Sequence, residues 1–215
     1  MLRLEHVSVS IGTVSILRDV NLAVGAGQFA GLIGRNGAGK TTLLRTIMGI
    51  LPSQHGAVEF ESIPLTHLPT HRRAALGIGY MPEDRRLVPA LTVEENVLIP
   101  SWALATSDTS DRLRRVYTAL PEVEGLRLRK ALQLSGGQQK LVALARAIMA
   151  GTRMLLLDEP FEGVAPVLAR RLAEVISGLR RTGLTVILSA SSLTHAHGLL
   201  DQVILIDRGA VAAGK

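Results

Sequence analysis

Gly34-Arg35-Asn36-Gly37-Ala38-Gly39-Lys40-Thr41 fits the spacing G-x-x-x-x-G-K-[ST]. Glycines at these positions let backbone N–H groups turn inward around phosphate oxygens. The helix that follows, with Thr41 and Thr42 in its first turn, directs its positive end at the same place. Lys40 reaches β and γ phosphates, and Thr41 offers an oxygen to Mg²⁺. Asp158-Glu159 follows the apolar run Met154 to Leu157, which sets two carboxylates at the end of a buried strand, where ligands bind in open α/β sheets. Asp158 is expected to hold the metal through water. Glu159 can accept a proton from an attacking water, the service that phosphoryl transfer asks of a base. Ser135-Gly136-Gly137-Gln138 opens a third apolar-faced segment, with Leu141, Leu144, Ala145, Ile148 and Met149 at helical spacing. Ser135 is a natural N-cap, and the two glycines bare N–H groups at a helix start, a second anion site.

Elements must bring these groups together. Phe29 to Ile33 reads as a buried strand, followed by the glycine loop and a helix over Thr41 to Ile50 with Leu43, Leu44 and Ile47 on one face. Met154 to Leu157 and Thr185 to Leu188 read as parallel strands joined by a helix carrying Leu168, Leu172, Val175, Ile176 and Leu179. Val203 to Ile206 is the expected final strand. Before the loop, Leu2, Leu4, Val7, Val9, Ile11 and then Val20, Leu22, Val24 alternate as an antiparallel pair. Between about 84 and 134 strand signals vanish, and Thr92 with Glu95 forms a capping box, as in a helical insertion. The expected class is α/β: a P-loop NTPase core of mainly parallel sheet flanked by helices, with an N-terminal antiparallel β portion.

At 215 residues with 47% hydrophobic content, the chain can bury one sizeable core, which excludes disorder as its main state. Its apolar runs fall far short of the roughly 18 to 20 residues of a spanning helix. Residues 1–20 show no apolar stretch with a cleavage site. There is no cysteine, hence no thiol nucleophile or thiolate metal site. The net charge of +6 suits phosphorylated ligands, anionic surfaces or nucleic acid alike, but the six aromatic residues are not interleaved with basic clusters, so direct nucleic-acid binding is not expected.

The chain resembles the ATP-binding subunits of ABC transporters over essentially its whole length. The glycine loop matches the family's Walker A element, Met154 to Glu159 its Walker B, and Leu134 to Gln138 its LSGGQ signature. Gly77 to Glu83, Leu91 to Asn96 and Gly163 to Pro166 look like the subgroup serving bacterial branched-chain amino-acid importers. The resemblance implies ATP and Mg²⁺ sandwiched between one chain's Walker A and another chain's signature. It also implies docking on membrane permease subunits at the cytoplasmic face of the inner membrane, and indirect association with a solute-binding protein. No carboxy-terminal regulatory domain is expected after the last strand. The rival expectation is a soluble ABC-type switch with weak ATPase acting on a cytosolic or nucleic-acid partner.

The chain departs from the family at the Walker side. Ile11 replaces the aromatic that stacks on adenine, Glu83 stands for a metal-contacting Gln, and Ala165 for an Asp; Glu162 is unusual for the subgroup. Ser191 takes the place of the switch His that contacts the γ-phosphate, with His195 and His197 a few residues beyond. The signature is intact. Such an uneven set implies a heterodimer with a second ATPase subunit that retains the His, a homodimer being the alternative. Trp102 stands either in the core or at a permease contact.

Overall fold

The computed structural model describes residues 1–105, 107–196 and 198–213. The antiparallel portion begins with β1 (Leu2–Ile11) and β2 (Val14–Val24). Then come β3 (Phe29–Ile33), α1 (Lys40–Met48), β4 (His55–Phe60), β5 (Ile63–Pro64), α2 (Thr70–Ala75) and β6 (Ile78–Met81). Helices follow: α3 (Val93–Leu104), α4 (Thr109–Ala119), α5 (Pro121–Gly125) and α6 (Gly136–Ala150). The chain returns through β7 (Met154–Leu157), α7 (Pro166–Leu179), β8 (Thr185–Ala190), β9 (Gln202–Asp207) and β10 (Ala210–Ala213). The molecule is α/β.

Two sheets carry the described strands, one of four in the order β2-β1-β4-β5 and one of six in the order β10-β9-β3-β8-β7-β6. The first is antiparallel. In the second, β9-β3-β8-β7-β6 run parallel and only β10 is reversed. The chain therefore continues past Val203–Ile206 into one more strand, contrary to the expectation that β9 ends the sheet. Hydrogen bonding to Asp207–Ile204 holds the alanine-rich β10 in place, which its own weak strand preference did not announce.

Burial explains the apolar runs. Along β7, Met154 and Leu156 face a core shared with α1 and the antiparallel sheet, while Leu155 and Leu157 face a second core built on α6 and α7. A strand covered on both faces reads as continuous rather than alternating. On β1 the inward set changes from Leu2 and Leu4 to Val7 and Val9, an odd step that would turn one set to solvent. The register shift between Leu4 and Val7, with His6 at φ 53°, absorbs it as a bulge.

Among the described residues between β6 and β7, strand pairing is limited to an isolated bridge between Thr92 and Lys130, so α3 to α6 dominate as expected. The capping box of α3 is present, with Thr92 Oγ1 accepting from Glu95 N and Glu95 Oε2 from Thr92 N. Trp102 on α3 is 56% exposed and is no core residue. No described helix is long and apolar enough to cross a membrane.

Candidate functional site

Four parallel strands deliver the site at their carboxyl ends: β3 into Gly34–Lys40, β7 into Asp158-Glu159, β6 into Glu83, and β8 with Ser189. Gly34 N donates to Ala190 O at 3.2 Å, which ties the start of the loop to β8. A Cβ on Gly34 would lie 2.3 Å from Ile206 O, so only glycine fits there. Ala38 N donates to Arg35 O at 3.1 Å, closing the loop through Asn36 and Gly37. Gly39, at φ 109°, turns the chain into α1 without a side-chain cap, leaving the first-turn N–H groups to a ligand.

A cavity of about 450 Å³ opens there, lined by Asn36, Gly37, Gly39, Lys40, Thr41 and Thr42 from the loop, with Glu83, Glu159, Glu162 and Ile16 opposite. Lys40 Nζ donates to Gly34 O (2.7 Å) and Arg35 O (3.0 Å) and pairs with Glu159 Oε1 at 3.0 Å. This ion pair is 5% and 9% exposed at its two side chains. Thr41 Oγ1 donates to Asp158 Oδ1 at 3.0 Å, as does Ser189 Oγ at 2.8 Å, while Tyr80 OH donates to Asp158 Oδ2 at 3.2 Å. Burial and the neighbouring Asp158 carboxylate push the Tyr80 hydroxyl well above its ordinary value, so it remains a donor.

Thr41 Oγ1 touches Asp158 and shares the cavity wall with Glu83, and hard oxygen donors of this kind suit Mg²⁺. No cluster of three or more acidic, His or Cys side chains able to hold a metal occurs among the described residues. An ion here would complete its shell with phosphate and water, as Mg²⁺ does in nucleotide sites.

Ser135 to Gln138 lie apart. Ser135 Oγ accepts from Gln138 N (3.3 Å) and Gln138 Oε1 from Ser135 N (3.0 Å), the capping box at the start of α6. Ser135 and Gly136 are exposed, and none of Ser135, Gly136, Gly137 or Gln138 lines the cavity. Ile11 is 51% exposed beside the tip between β1 and β2 and does not reach the cavity wall; Ile16 does. Ser191 is exposed just past β8 and does not line the cavity either. His195 stacks obliquely on Phe161, ring centroids 5.9 Å apart, on the side of α7. His197 lies outside the described residues. The sequence reading missed Tyr80, Ser189 and Lys140. Their only signal was polarity out of place: a hydroxyl continuing an apolar strand, a phenol before Met81, and a lysine adjoining the apolar face that begins at Leu141.

Residues 17–162 match the family model for ABC transporters. The chain is 35% identical over 211 residues to the high-affinity branched-chain amino acid transport ATP-binding protein BraG of Pseudomonas aeruginosa, covering 98% of this chain and 91% of BraG. It is 32% identical over 200 residues to the lipopolysaccharide export system ATP-binding protein LptB of Escherichia coli, covering 92% and 83% respectively. Its fold superposes with TM-score 0.85 on a nucleotide-free ATP-binding cassette of an ABC transporter, at 28% identity over 99% of this chain and 90% of that one. It also superposes with TM-score 0.88 on a dimeric cassette in a post-hydrolysis state bound to ADP and Pi, at 26% identity over 100% and 98%. With the phosphate loop, the paired carboxylates and the signature all in the family's order, the chain belongs to the ABC transporter family as an ATP-binding, ATP-hydrolysing subunit.

Proposed function

We propose that this chain is the energy-coupling ATPase of a bacterial importer for branched-chain or related amino acids. The observation that carries the reading is the likeness to BraG over 98% of the chain, strengthened by Gly77 to Glu83, Leu91 to Asn96 and Gly163 to Pro166. Residues 1–215 make one ABC-type ATPase domain, with a helical subdomain at about 84–134. The likeness to LptB supports a second reading, service of a lipopolysaccharide exporter.

In the reaction, the loop from Gly34 to Gly39 and the first turn of α1 through Thr42 hold the triphosphate, with Lys40 on its β and γ groups. Thr41, Asp158 and Glu83 would hold Mg²⁺, which supplies positive charge against the phosphate oxygens. Glu159 takes a proton from water as the water oxygen bonds to the γ-phosphorus and the bond to ADP breaks. By the resemblance, Ser191 takes the place in sequence of the switch His, and Ile11 that of the adenine-stacking aromatic. Ser135, Gly136, Gly137 and Gln138 face a second subunit's nucleotide in a sandwich dimer, a heterodimer by the unevenness of this chain's parts. The difference in affinity between closed and open states drives the permease. Exposed Trp102, Leu128 and Leu132 suit contact with permease subunits at the cytoplasmic face of the inner membrane.

Uptake of labelled leucine by cells lacking this chain, complemented with the parent or with Lys40→Ala, tests the import reading. Uptake is expected to be lost without the chain and restored only by the parent. Unaltered uptake, together with impaired lipopolysaccharide export, selects the second reading.

A further inference from the structure

Several non-glycine residues take positive φ, but Glu159, at φ 47°, is the only buried one among the described residues. A side chain in that region persists only where its surroundings over-determine it. Two groups do so here. Ser189 Oγ accepts from Glu159 N at 2.9 Å, and Lys140 Nζ donates to Glu159 O at 2.7 Å. Lys140 also donates to Glu162 O at 2.8 Å, and Glu162 N bonds back to Glu159 O at 3.2 Å, closing the turn around the ammonium.

Lys140 is 1% exposed and makes no ion pair within 4.0 Å among the described residues. Glu83, Glu159 and Glu162 attract its charge from a distance and Arg85 repels it, while burial pulls its pKa down. Keeping an ammonium in such a place is costly unless it is hydrogen-bonded, and the carbonyls of Glu159 and Glu162 accept from it here. The chain has only four lysines, and the two buried ones, Lys40 and Lys140, both grip Glu159: one its carboxylate, the other its carbonyl. Lys140 lies one turn into α6, whose start is the signature segment.

We propose that Lys140 is a positioning residue: with Ser189 it locks the backbone of Glu159 in the conformation that aims its carboxylate into the cavity, and it fastens that base to the signature helix. The inference rests on Glu159 being the base. No catalytic contact by Lys140 is required.

The test compares the purified parent with Lys140→Met, Lys140→Gln and Glu159→Gln by steady-state ATPase over a range of Mg-ATP, and by amide exchange. Lys140→Met should lose about tenfold or more in kcat with KM within about twofold, the pattern of a displaced group rather than lost binding. Amides of residues 159–163 should exchange faster while those of α1 do not. Lys140→Gln retains an N–H donor and should recover part of the loss. Parent-like kcat and exchange in Lys140→Met, or equal losses in Met and Gln, would overturn the proposal. Should Lys140→Met not fold, Lys140→Ala takes its place: reduced kcat at similar KM with faster exchange at 159–163 supports the proposal, and parent-like values sink it. Parent-like turnover in Glu159→Gln would instead overturn the base assignment itself.

Discussion

The parallel sheet carries a cation–carboxylate pair at each end, and the two are built for opposite purposes. At the amino ends of the strands, Arg180 Nη1 bonds both Asp201 oxygens at 2.8 Å and its guanidinium lies 4.4 Å from the Phe29 ring centroid. Asp201 also accepts from Phe29 N at 2.8 Å. This pair is 42% and 37% exposed, so water screens it and either partner can be lost cheaply. At the carboxyl ends, Lys40 and Glu159 are buried, and among the described residues each is the other's only direct ionic partner. The open first turn of α1 beside them has no acidic residue of its own. A phosphate entering there can replace Glu159 as the counter-ion of Lys40, which frees the carboxylate for water. One pair is an exposed staple; the other is buried beside the cavity that the glycine loop lines.

Breaking the buried pair should have the largest effect. Lys40→Ala leaves Glu159 buried without a counter-charge, which costs about 3 to 5 kcal/mol of stability in the nucleotide-free protein. It also removes a charge-assisted phosphate contact of about 1.5 to 3 kcal/mol. Denaturant titration and calorimetry with Mg-ATP measure the two losses separately. The double variant Lys40→Met with Glu159→Gln should regain much of the stability but none of the affinity, because two neutral groups tolerate burial where one charge does not.

Next in size is the position just past β8. If Ser191 leaves the γ-phosphate without its usual contact, Ser191→His should raise turnover of the isolated chain by about 10² or more. Robust turnover in the parent with no gain in the variant would remove the case for an unlike partner subunit.

The smallest effect belongs to the exposed pair. Arg180→Ala should cost about 1 kcal/mol or less and leave turnover unchanged. The Phe29 amide and then Arg180 hold Asp201 below the usual carboxylate range. Its contribution is therefore present above the unfolded value and lost as pH falls through the lower folded one. The stability difference between parent and Arg180→Ala should shrink in acid titration below about pH 4.

What was legible in the sequence was local. The phosphate loop, the carboxylates after Met154–Leu157 and the Ser135–Gln138 cap each announce themselves within a few residues, because loop geometry and helix capping are short-range physics. The partners that orient those groups are remote in sequence. Ser189 meets Asp158 from 31 residues away, Tyr80 from 78, and Lys140 meets Glu159 from 19. Nothing near Ser189 distinguishes a hydroxyl holding a carboxylate from one filling a core. Short strands were hidden for a related reason: β6 spans only Ile78–Met81 with a glycine inside, and its pairing with β7, rather than its composition, makes it a strand. Ile11 fits the family's pattern by position, yet the hairpin carries it outside the cavity wall that Ile16 helps to form.

The central claim is that Glu159 supplies the base while Lys40 and its loop supply the binding, and replacing one atom group separates them. In Glu159→Gln, Mg-ATP affinity by calorimetry should not fall below the parent's, because Lys40 is freed of its counter-ion, while steady-state turnover falls by about two decades or more. Turnover equal to the parent's would contradict the account and move the chemistry to another group.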